Sequence, residues 1–443
     1  IHGGTTEGSA LSDNTLYSYW AADENMVWDS ILGKERTYSL FGKANAVFDG
    51  SPSQIDTCVV SVPENDSNYG QVFVAALDNT FVGSGDFGAG LVLVRDGQIW
   101  SDTSDTGNKK WSIETIDGDR MKNQFQNIKI AGVYTNASKS VTFNGTTYDK
   151  AFHTYISYYD AKTKCLKYGK IELASSIGSN NDDLIAQYTC KADSTLNKFV
   201  VDGKDSIDGT DVGQWSDIKV ILETVTSEVT NDDGETETVI TGQFPTPIIV
   251  YYESTGTSRG NLKFAKGKAT APDGNKSEWE YKTVKNPDGV RDFGRYVSME
   301  MDASGGFHVV CQDAISGVLY YGYFESISDS PKYGWKKVDA TSSVGRWTDI
   351  KLANPTESDL AAEPVVTYMD GSKLDTTYAV KVAYMTDSTN CIWDSETDPA
   401  EYAANSQYKM SIVSEALDLE GKTNKLAVGI NSSMFAVDFL RGE

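Results

Sequence analysis

Residue types that mark metal, redox and membrane proteins are scarce in this chain. Its 443 residues include only three histidines and five cysteines, so a zinc site is not expected. No run of about 18 apolar residues occurs, which argues against a membrane-spanning helix. HExxH and Walker patterns are also absent, so the sequence carries the signature of neither a zinc protease nor a P-loop NTPase.

Basic residues are few as well. The chain has 39 lysines and arginines against 63 acids, which gives a formal net charge of −24. Such a charge repels phosphate backbones and anionic lipid, so we expect no nucleic-acid partner. Hydrophobic residues make up 39% of the chain, enough for a folded core. The first residues contain no initiator Met and no signal peptide, and we expect a processed, extracytoplasmic, monomeric protein.

What the chain does have is a repeat, spaced by roughly 50–90 residues. A hydrophobic strand ends in an acid, and a polar turn and a second strand follow; Tyr158-Tyr159-Asp160, for example, precedes Leu166-Lys167-Tyr168. The strand-ending acids are Asp78, Asp160, Glu253, Asp313 and Asp370. Because an acid recurs in every unit, we interpret these residues as turn formers, whose carboxylates accept hydrogen bonds from the following backbone amides, rather than as catalysts.

Each unit also begins with a strand of period two, such as Gly345–Leu352, and ends with an aromatic-led strand, such as Trp279–Val284. This pattern predicts four-stranded antiparallel blades at 57–116, 125–202, 213–285, 294–338 and 346–413. In the last blade, Tyr408–Val413 is the predicted outer strand. We expect an all-β propeller of six blades, with seven as the alternative, in which 15–50 and 425–440 form the closing blade.

Two sets of side chains at equivalent positions are candidate sites. Just ahead of the inner strand lie Gln124, Gln214, Arg295 and Arg346. The two guanidiniums would bind a carboxylate bidentately, or they would stack on the neighbouring Tyr296 and Trp347. Aromatic residues in the loops, Trp393 among them, would offer stacking surfaces to a ligand.

The second set lies on the inner strand itself. Asp217 and Asp349 occupy one position, with Asn127 as their counterpart. A ring of such oxygen ligands would hold a structural Ca²⁺, which is the one cofactor that the sequence suggests. The alternative is a set of hydrogen bonds that joins neighbouring blades. Cys165 and Cys190 lie at polar edges, and the sequence leaves open whether they are bridged.

The repeat of Tyr-Tyr-Asp, turn and Leu-Lys-aromatic resembles that of secreted and surface bacterial propellers of the sialidase-like group, also called the BNR or Asp-box group. A degraded Asp-box is present at Thr103-Ser104-Asp105-Thr106-Gly107, with Trp111 displaced by one residue. The resemblance implies a propeller fold over 57–413. A sialidase would need three convergent arginines, of which Arg295 and Arg346 would be two, together with a Tyr–Glu pair and an Asp acid that the sequence does not assign.

These observations favour a binding module without enzymatic activity, located outside the cytoplasm, that recognises a glycan or a protein through one face of its loops. The alternative is a sialidase-like glycoside hydrolase with two carboxylates at the mouth of the central channel. Composition cannot select such a pair among 63 acids.

Overall fold

The computed structural model shows a chain whose regular structure is almost entirely β-strand. The residues that it describes are 15–18, 28–29, 34–35, 45–49, 52–61, 70–78, 82–83, 86–87, 89–96, 111–119, 125–135, 141–143, 146–148, 150–175, 197–203, 211–230, 236–268, 278–354, 356–370, 379–388, 391–396, 410–412, 424–431 and 434–441. Within these ranges, no helix is long and apolar enough to cross a membrane. Two compact units result from the packing: 52–255 with 263–283, and 1–51 with 256–262 and 284–443.

The first unit, here called the three-sheet unit, contains four-stranded sheets A, B and C. In each sheet the strands follow chain order and run antiparallel. Sheet A consists of Pro52–Ser61, Gly70–Asp78, Ala89–Asp96 and Trp111–Asp119. Sheet B consists of Phe125–Thr135, Lys150–Asp160, Cys165–Ser175 and Asn197–Asp202. Sheet C consists of Asp211–Thr230, Thr236–Gly256, Arg259–Gly267 and Trp279–Thr283. Two small hairpins pair Val82–Gly83 with Asp86–Phe87 and Val141–Phe143 with Thr146–Tyr148.

The second unit, here called the two-sheet unit, contains sheets D and E, which have the same strand order. Sheet D consists of Phe293–Met301, Phe307–Asp313, Leu319–Phe324 and Lys336–Asp339. Sheet E consists of Val344–Leu352, Pro364–Asp370, Ala379–Asp387 and Ile392–Glu396, with a 3₁₀ turn at Asp359–Ala362. The N-terminal strands Thr15–Ser18 and Asn45–Asp49 pair with each other, as do Trp28–Asp29 and Lys34–Glu35.

The prediction for the outer strand of the fifth sheet was wrong. That strand is Ile392–Glu396, which pairs with the third strand of sheet E. Met410–Ile412, from the predicted segment, instead pairs in parallel with Asn424–Asn431, which is followed by antiparallel Met434–Arg441. A strand needs only four or five residues at a sheet edge, so the polar segment around Trp393 suffices and the more apolar candidate further on is free to join another sheet.

Neighbouring sheets within each unit pack through large apolar side chains. Phe73 of sheet A lies 5.9 Å from Phe152 of sheet B, measured between ring centroids. Tyr168 of sheet B meets Trp279 of sheet C edge to face at 5.3 Å. The second strands of sheets D and E are buried along their whole length, as expected for central strands that are covered on both faces. The Tyr-rich repeat of the sequence therefore forms the interior.

A lysine enclosed by carboxylates joins sheet B to sheet A. The ammonium of Lys167 lies 2.6 Å from Asp160, the strand-ending acid of its own sheet, and 3.5 Å from Asp117 on the outer strand of sheet A. The Tyr158 hydroxyl donates to the same Asp117 carboxylate at 3.0 Å. Burial alone would lower the pKa of Lys167, but the two carboxylates outweigh it and hold the pKa above its ordinary value.

The same arrangement recurs twice, and we call the three sets the lysine clusters. Each has a lysine from a third strand, an acid and a tyrosine from the second strand, and an aspartate from the outer strand of the preceding sheet. The second cluster consists of Lys263, Glu253, Tyr251 and Asp202, and the third of Lys381, Asp370, Tyr368 and Asp339. Their lysine-to-aspartate distances are 2.6 and 2.8 Å.

Sheet D keeps its strand-ending acid, Asp313, but has less polar residues in place of the cluster's tyrosine and lysine. Strand register places Cys311 where the other sheets have tyrosine and Tyr320 where they have lysine. Lys285, which follows the buried Val284 as Asp117 follows Ile116, takes the place of the aspartate, and its exposed ammonium pairs with Asp329 at 2.7 Å. Cys311 and Tyr320 are buried. A single exchange in a lysine cluster would leave a buried charge without its partner, which is far costlier than exchanging the partners together.

The strand-ending acids also form turns, as the sequence predicted. Asp160 accepts hydrogen bonds from the amides of Lys162 and Thr163 at 3.0 and 3.3 Å. Asp313, in the sheet without a lysine cluster, accepts from the amide of Ile315 at 2.9 Å. The turn role is therefore present with or without the lysine, and the ionic role is an addition that the sequence analysis did not assign.

A buried aspartate links two hairpin turns of the two-sheet unit. One Asp302 oxygen accepts from the amides of Ser304 and Gly306, and the other accepts from the Tyr323 hydroxyl at 3.0 Å and from the Asp359 amide at 2.6 Å. Burial alone would raise the pKa of Asp302, but these hydrogen bonds and the nearby His308 hold it below its ordinary value.

The lysine clusters predict a contrast between one substitution and three. Lys381→Met leaves Asp339 and Asp370 buried without their cation and should cost about 3–5 kcal/mol in the free energy of unfolding, measured by urea denaturation. The triple variant Asp339→Lys, Tyr368→Cys, Lys381→Tyr copies the set found at sheet D and should recover most of that loss. The exposed Lys337→Met is the control; a cost for Lys381→Met no larger than the control's would contradict the account.

Asp302 predicts a pH dependence of stability. Because the native pKa lies below the ordinary carboxyl value of about 3.9, the hydrogen bonds of the ionised form stabilise the fold above that pH, and this stabilisation is lost as the pH falls below it. Asp302→Asn should therefore lower the urea midpoint at neutral pH and flatten the acid limb of the stability curve. Asp288→Asn, at an exposed site, should leave the curve unchanged; equal curves for wild type and Asp302→Asn would refute the linkage.

Candidate functional site

The first strands of the five sheets present equivalent side chains, which strand register identifies. The position that we call the arginine position lies opposite the residue just before the strand-ending acid. In sheet C, where the pairing is interrupted there, it is the residue three before Asp217. Its members are Gln54, Gln126, Gln214, Arg295 and Arg346. The residue that follows it in sheets B to E is the aromatic position, occupied by Asn127, Trp215, Tyr296 and Trp347. The carboxylate position holds Asp56, Lys129, Asp217, Ser298 and Asp349.

The sequence alignment of sheet B was displaced by two residues. It put Gln124 at the arginine position and Asn127 at the carboxylate position, whereas the register puts Gln126 and Lys129 there. The alignment matched Phe125 to the half-exposed Trp215, but Phe125 is a buried residue that lies opposite Asp160. Sheets C, D and E also carry an additional glycine before the arginine position, which sheet B lacks. Gln124 itself lies outside the described residues.

Side chains at these positions tie the first strands of the three-sheet unit together. The Gln54 side-chain oxygen accepts from the Asn127 amide at 2.6 Å, and Asp56 accepts from the Ile130 amide at 2.7 Å. The Asn127 side-chain amide in turn donates to the Gln214 carbonyl. The first strand of sheet A is thereby joined to the first strand of sheet B, and that strand to the first strand of sheet C. This is the hydrogen-bonding alternative that the sequence analysis gave for the inner-strand residues.

The predicted metal ligands Asp217 and Asp349 have hydrogen-bonding partners within the protein. One Asp217 oxygen accepts from the Ile218 amide at 2.7 Å. In the two-sheet unit, Asp349 accepts from the Ser298 hydroxyl at 3.4 Å and lies 3.8 Å from the Lys351 ammonium. Among the described residues, no group of three or more His, Cys, Asp or Glu side chains is arranged to hold a metal ion. Bound Ca²⁺ therefore remains a prediction without a ligand set.

The two arginine–aromatic pairs of the two-sheet unit form one surface, which we call the inner-strand surface: Arg295, Tyr296, Arg346 and Trp347. The Tyr296 and Trp347 rings lie 5.5 Å apart at an interplanar angle of 56°, and all four side chains are half-buried. Arg295 bonds to the buried Asp292 at 2.8 Å, which fixes the guanidinium. For Arg346, the structure gives no carboxylate partner in the part of the chain that it describes.

Both aromatic residues have a backbone conformation that side chains of their size rarely adopt. The φ angles are 51° at Tyr296 and 46° at Trp347, in the left-handed region, where a bulky residue is strained. Asn127 has φ 53° at the same position of sheet B, but asparagine tolerates that region. The conformation turns the side chain away from the direction that the regular strand would give it, at a cost of about 1–3 kcal/mol per residue.

An ion pair network lies next to this surface on the same two strands. The Lys351 ammonium is 3.4 Å from Glu300 and 3.8 Å from Asp349, so these two carboxylates lie within about 7 Å of each other. The side chains of Glu300 and Asp349 are each 20% exposed. They are one candidate for the pair of acids that the composition could not select.

The structure does not bring Trp393 together with the arginines. Trp393 lies on the fourth strand of sheet E, whereas Arg346 lies on the first. Its ring contacts Tyr321 at 5.0 Å and packs against the buried cluster between sheets D and E. Cys165, for which a bridge was left open, carries a free thiol that donates to the Thr163 carbonyl. Its suggested partner Cys190 lies outside the described residues.

His308 and Asp302 resemble an acid–base pair but are inaccessible. The His308 Nε2 atom lies 3.6 Å from Asp302, and its Nδ1 atom lies 2.9 Å from the Tyr321 hydroxyl. Neither side chain has any exposed surface. A general base must reach the proton that it removes from a substrate, so this pair serves to hold turns in place.

Two short glycine patterns also occur in contexts that do not suit their usual chemistry. Gly256-Thr257-Ser258-Arg259-Gly260 has the form of a nucleophile elbow, but Ser258 lies in the turn between two strands of sheet C, whereas the elbow joins a strand to a helix. Gly83-Ser84-Gly85-Asp86-Phe87-Gly88 has the dinucleotide-binding form. It starts in a small hairpin rather than at the beginning of a helix.

Comparison with known proteins does not place the chain in a family. No family model and no curated protein sequence matches it. Among solved structures, one that matches is an α-L-arabinanase of Penicillium chrysogenum in complex with arabinobiose, at 12% identity over 76% of this chain and 94% of that chain. Its TM-score is 0.27, so the likeness carries no argument about fold or function.

Proposed function

We propose that the chain is a carbohydrate-binding module and that the inner-strand surface holds the sugar. The observation that carries this proposal is the repeated arginine–aromatic pair, with both aromatic residues, Tyr296 and Trp347, at positive φ and half-exposed. Strain of this kind persists where the surroundings enforce it, and it concentrates at ligand sites. Aromatic rings present a flat apolar face with a polar edge, which suits the apolar face of a sugar ring.

The arginines supply the polar half of such a site. Each guanidinium offers several N–H donors in a rigid plane, which would bond to neighbouring hydroxyl or carboxylate oxygens. Asp292 holds Arg295 in place through a 2.8 Å ion pair, so that guanidinium loses little freedom on binding. Arg346 is the less constrained of the two and would supply adaptable hydrogen bonds.

Three further properties belong to this proposal. The repeated sheets would be blades of a six-bladed propeller that the terminal strands close, which is supported by the common register of the five first strands and by additional strands at both ends. The ligand would be a glycan rather than a folded protein, because two rings 5.5 Å apart match one or two sugar units. A glycan ligand would be met outside the cytoplasm.

The second candidate function is glycoside hydrolysis by Glu300 and Asp349. Their shared contact with Lys351 limits the separation of the two carboxylates to about 7 Å, a limit that includes the spacing of retaining enzymes and the shortest spacings of inverting ones. Both acids, however, share the Lys351 ammonium in an internal ion pair. The proposal therefore assigns them to strand packing and leaves hydrolysis as the alternative.

Removing an aromatic ring tests the binding site. Trp347→Ala should weaken the affinity for the best ligand of a glycan array by about 10-fold or more, measured by titration calorimetry. Tyr333→Ala removes an exposed ring elsewhere in the same unit and should leave the affinity unchanged. Trp347→Gly should bind as poorly as Trp347→Ala but unfold at higher urea, because glycine relieves the positive φ. Wild-type affinity in Trp347→Ala would sink the proposal.

Hydrolysis has its own test. Wild type should show no turnover of fluorogenic glycosides in a panel that includes sialosides and arabinosides. If turnover does appear, Glu300→Gln and Asp349→Asn should each abolish the turnover and leave glycan binding intact. Turnover lost in these variants would make the chain an enzyme and replace the binding-module proposal.

A further inference from the structure

The hairpin that joins the first two strands of sheet C extends beyond the rest of its sheet. Those strands have 20 and 21 residues, whereas the third strand has nine and follows a short turn, so it reaches only the last part of the second strand. Antiparallel pairing of the two long strands continues outward to Thr230 and Thr236. We call the projecting part, Glu223–Phe244, the ribbon.

The first strand of the ribbon has one face that carries exposed valines, here called the apolar face, and one polar face. Glu223 lies opposite Phe244, and alternation along the strand puts Val225 and Val229 on the same face as both. Across the ribbon, the register pairs Ser227 with Val239, Val229 with Glu237 and Thr226 with Ile240. Val225 is 48% exposed, Val229 50% and Phe244 42%. The opposite face of the first strand carries the polar residues Thr226, Glu228 and Thr230.

The charge on the ribbon is of one sign. From Glu223 to Phe244 the sequence has six acids and no lysine or arginine. One basic neighbour, Lys266, lies 3.3 Å from Glu223 at the base of the ribbon. A second copy of the chain would bring the same six acids and be repelled, whereas a segment rich in lysine or arginine would be attracted.

We propose that the ribbon is a docking site for an extended, basic polypeptide segment of another protein. The segment adds a strand to the ribbon and lays apolar side chains on Val225, Val229 and Phe244, while its lysines or arginines face the acids. Main-chain hydrogen bonds supply affinity in this mode, and the alternate side chains supply specificity. The site is separate from the inner-strand surface and does not depend on glycan binding.

The physical state of the ribbon supports an added strand. A two-stranded hairpin is only marginally stable in water, and a third strand with an apolar face stabilises it. Long strand edges also invite pairing with other chains, a hazard that proteins limit with charge. The acids of the ribbon keep copies of the chain apart and leave a partner of opposite charge as the one that fits.

A synthetic peptide of alternating lysine and valine is the probe, with binding to the full chain followed by fluorescence anisotropy. The triple variant Val225→Thr, Val229→Thr, Phe244→Thr should weaken binding by about 10-fold or more. The control Thr226→Ser, Thr230→Ser changes the polar face and should bind as wild type does. A second variant, in which an Asn-Gly turn replaces 224–243, should not bind at all.

Thermal unfolding of each variant shows that the rest of the fold is intact. Binding should fall as salt is added, and an alternating glutamate–valine peptide should not bind. Failure of the lysine–valine peptide to bind wild type overturns the proposal, as does equal binding by the apolar-face variant. A ribbon-dependent dimer in sedimentation would assign the surface to a second copy instead. Glycan affinity should be the same in all of these proteins.

Discussion

The lysine ammonium enclosed by acids of two sheets is the interaction on which the packing of neighbouring sheets depends. In each lysine cluster the outer-strand aspartate belongs to one sheet and the lysine, tyrosine and strand-ending acid belong to the next, so the cluster fixes the distance between them. The Asp339 carboxylate shows the balance: burial alone would raise its pKa, but hydrogen bonds from Lys381, Thr341 and Tyr368 hold the pKa below its ordinary value. Sheet D shows the other solution, in which less polar residues fill the same space.

Fixed sheets allow the first strands to be specialised. In the three-sheet unit, side chains at the arginine, aromatic and carboxylate positions form strand-to-strand hydrogen bonds, through Gln54, Asn127 and Asp56 respectively. In the two-sheet unit, the corresponding side chains are two arginines beside strained aromatic residues. The same positions thus tie strands together in the three-sheet unit and, in the proposed function, carry the ligand surface of the two-sheet unit, because only the side chains differ while the register stays the same.

The sequence alone predicted the all-β class, the antiparallel four-stranded sheets and the turn role of the acids. Each follows from local chemistry: period-two alternation, and Asp at the end of a strand. The ionic role of Lys167, Lys263 and Lys381 was missed, although each lysine follows a leucine or valine in the repeat and the matching aspartates lie at or near the ends of the outer strands. That role depends on contact between two sheets, and no local sequence pattern records such a contact.

The two-residue error in aligning Asn127 has a similar origin, since a buried and an exposed aromatic residue look alike in sequence. The positive φ of Tyr296 and Trp347 has no sequence signal, because glycine or asparagine normally marks that conformation.

The central claim is that the lysine clusters and the core serve packing while the inner-strand surface meets the ligand. The most direct measurement is ¹⁹F NMR of protein labelled with 5-fluorotryptophan, titrated with a glycan and assigned by Trp→Phe replacement. The account predicts that the resonance of Trp347 moves on saturation while that of Trp393, packed between sheets D and E, does not. A stationary Trp347 resonance with a shifted Trp393 resonance would contradict it.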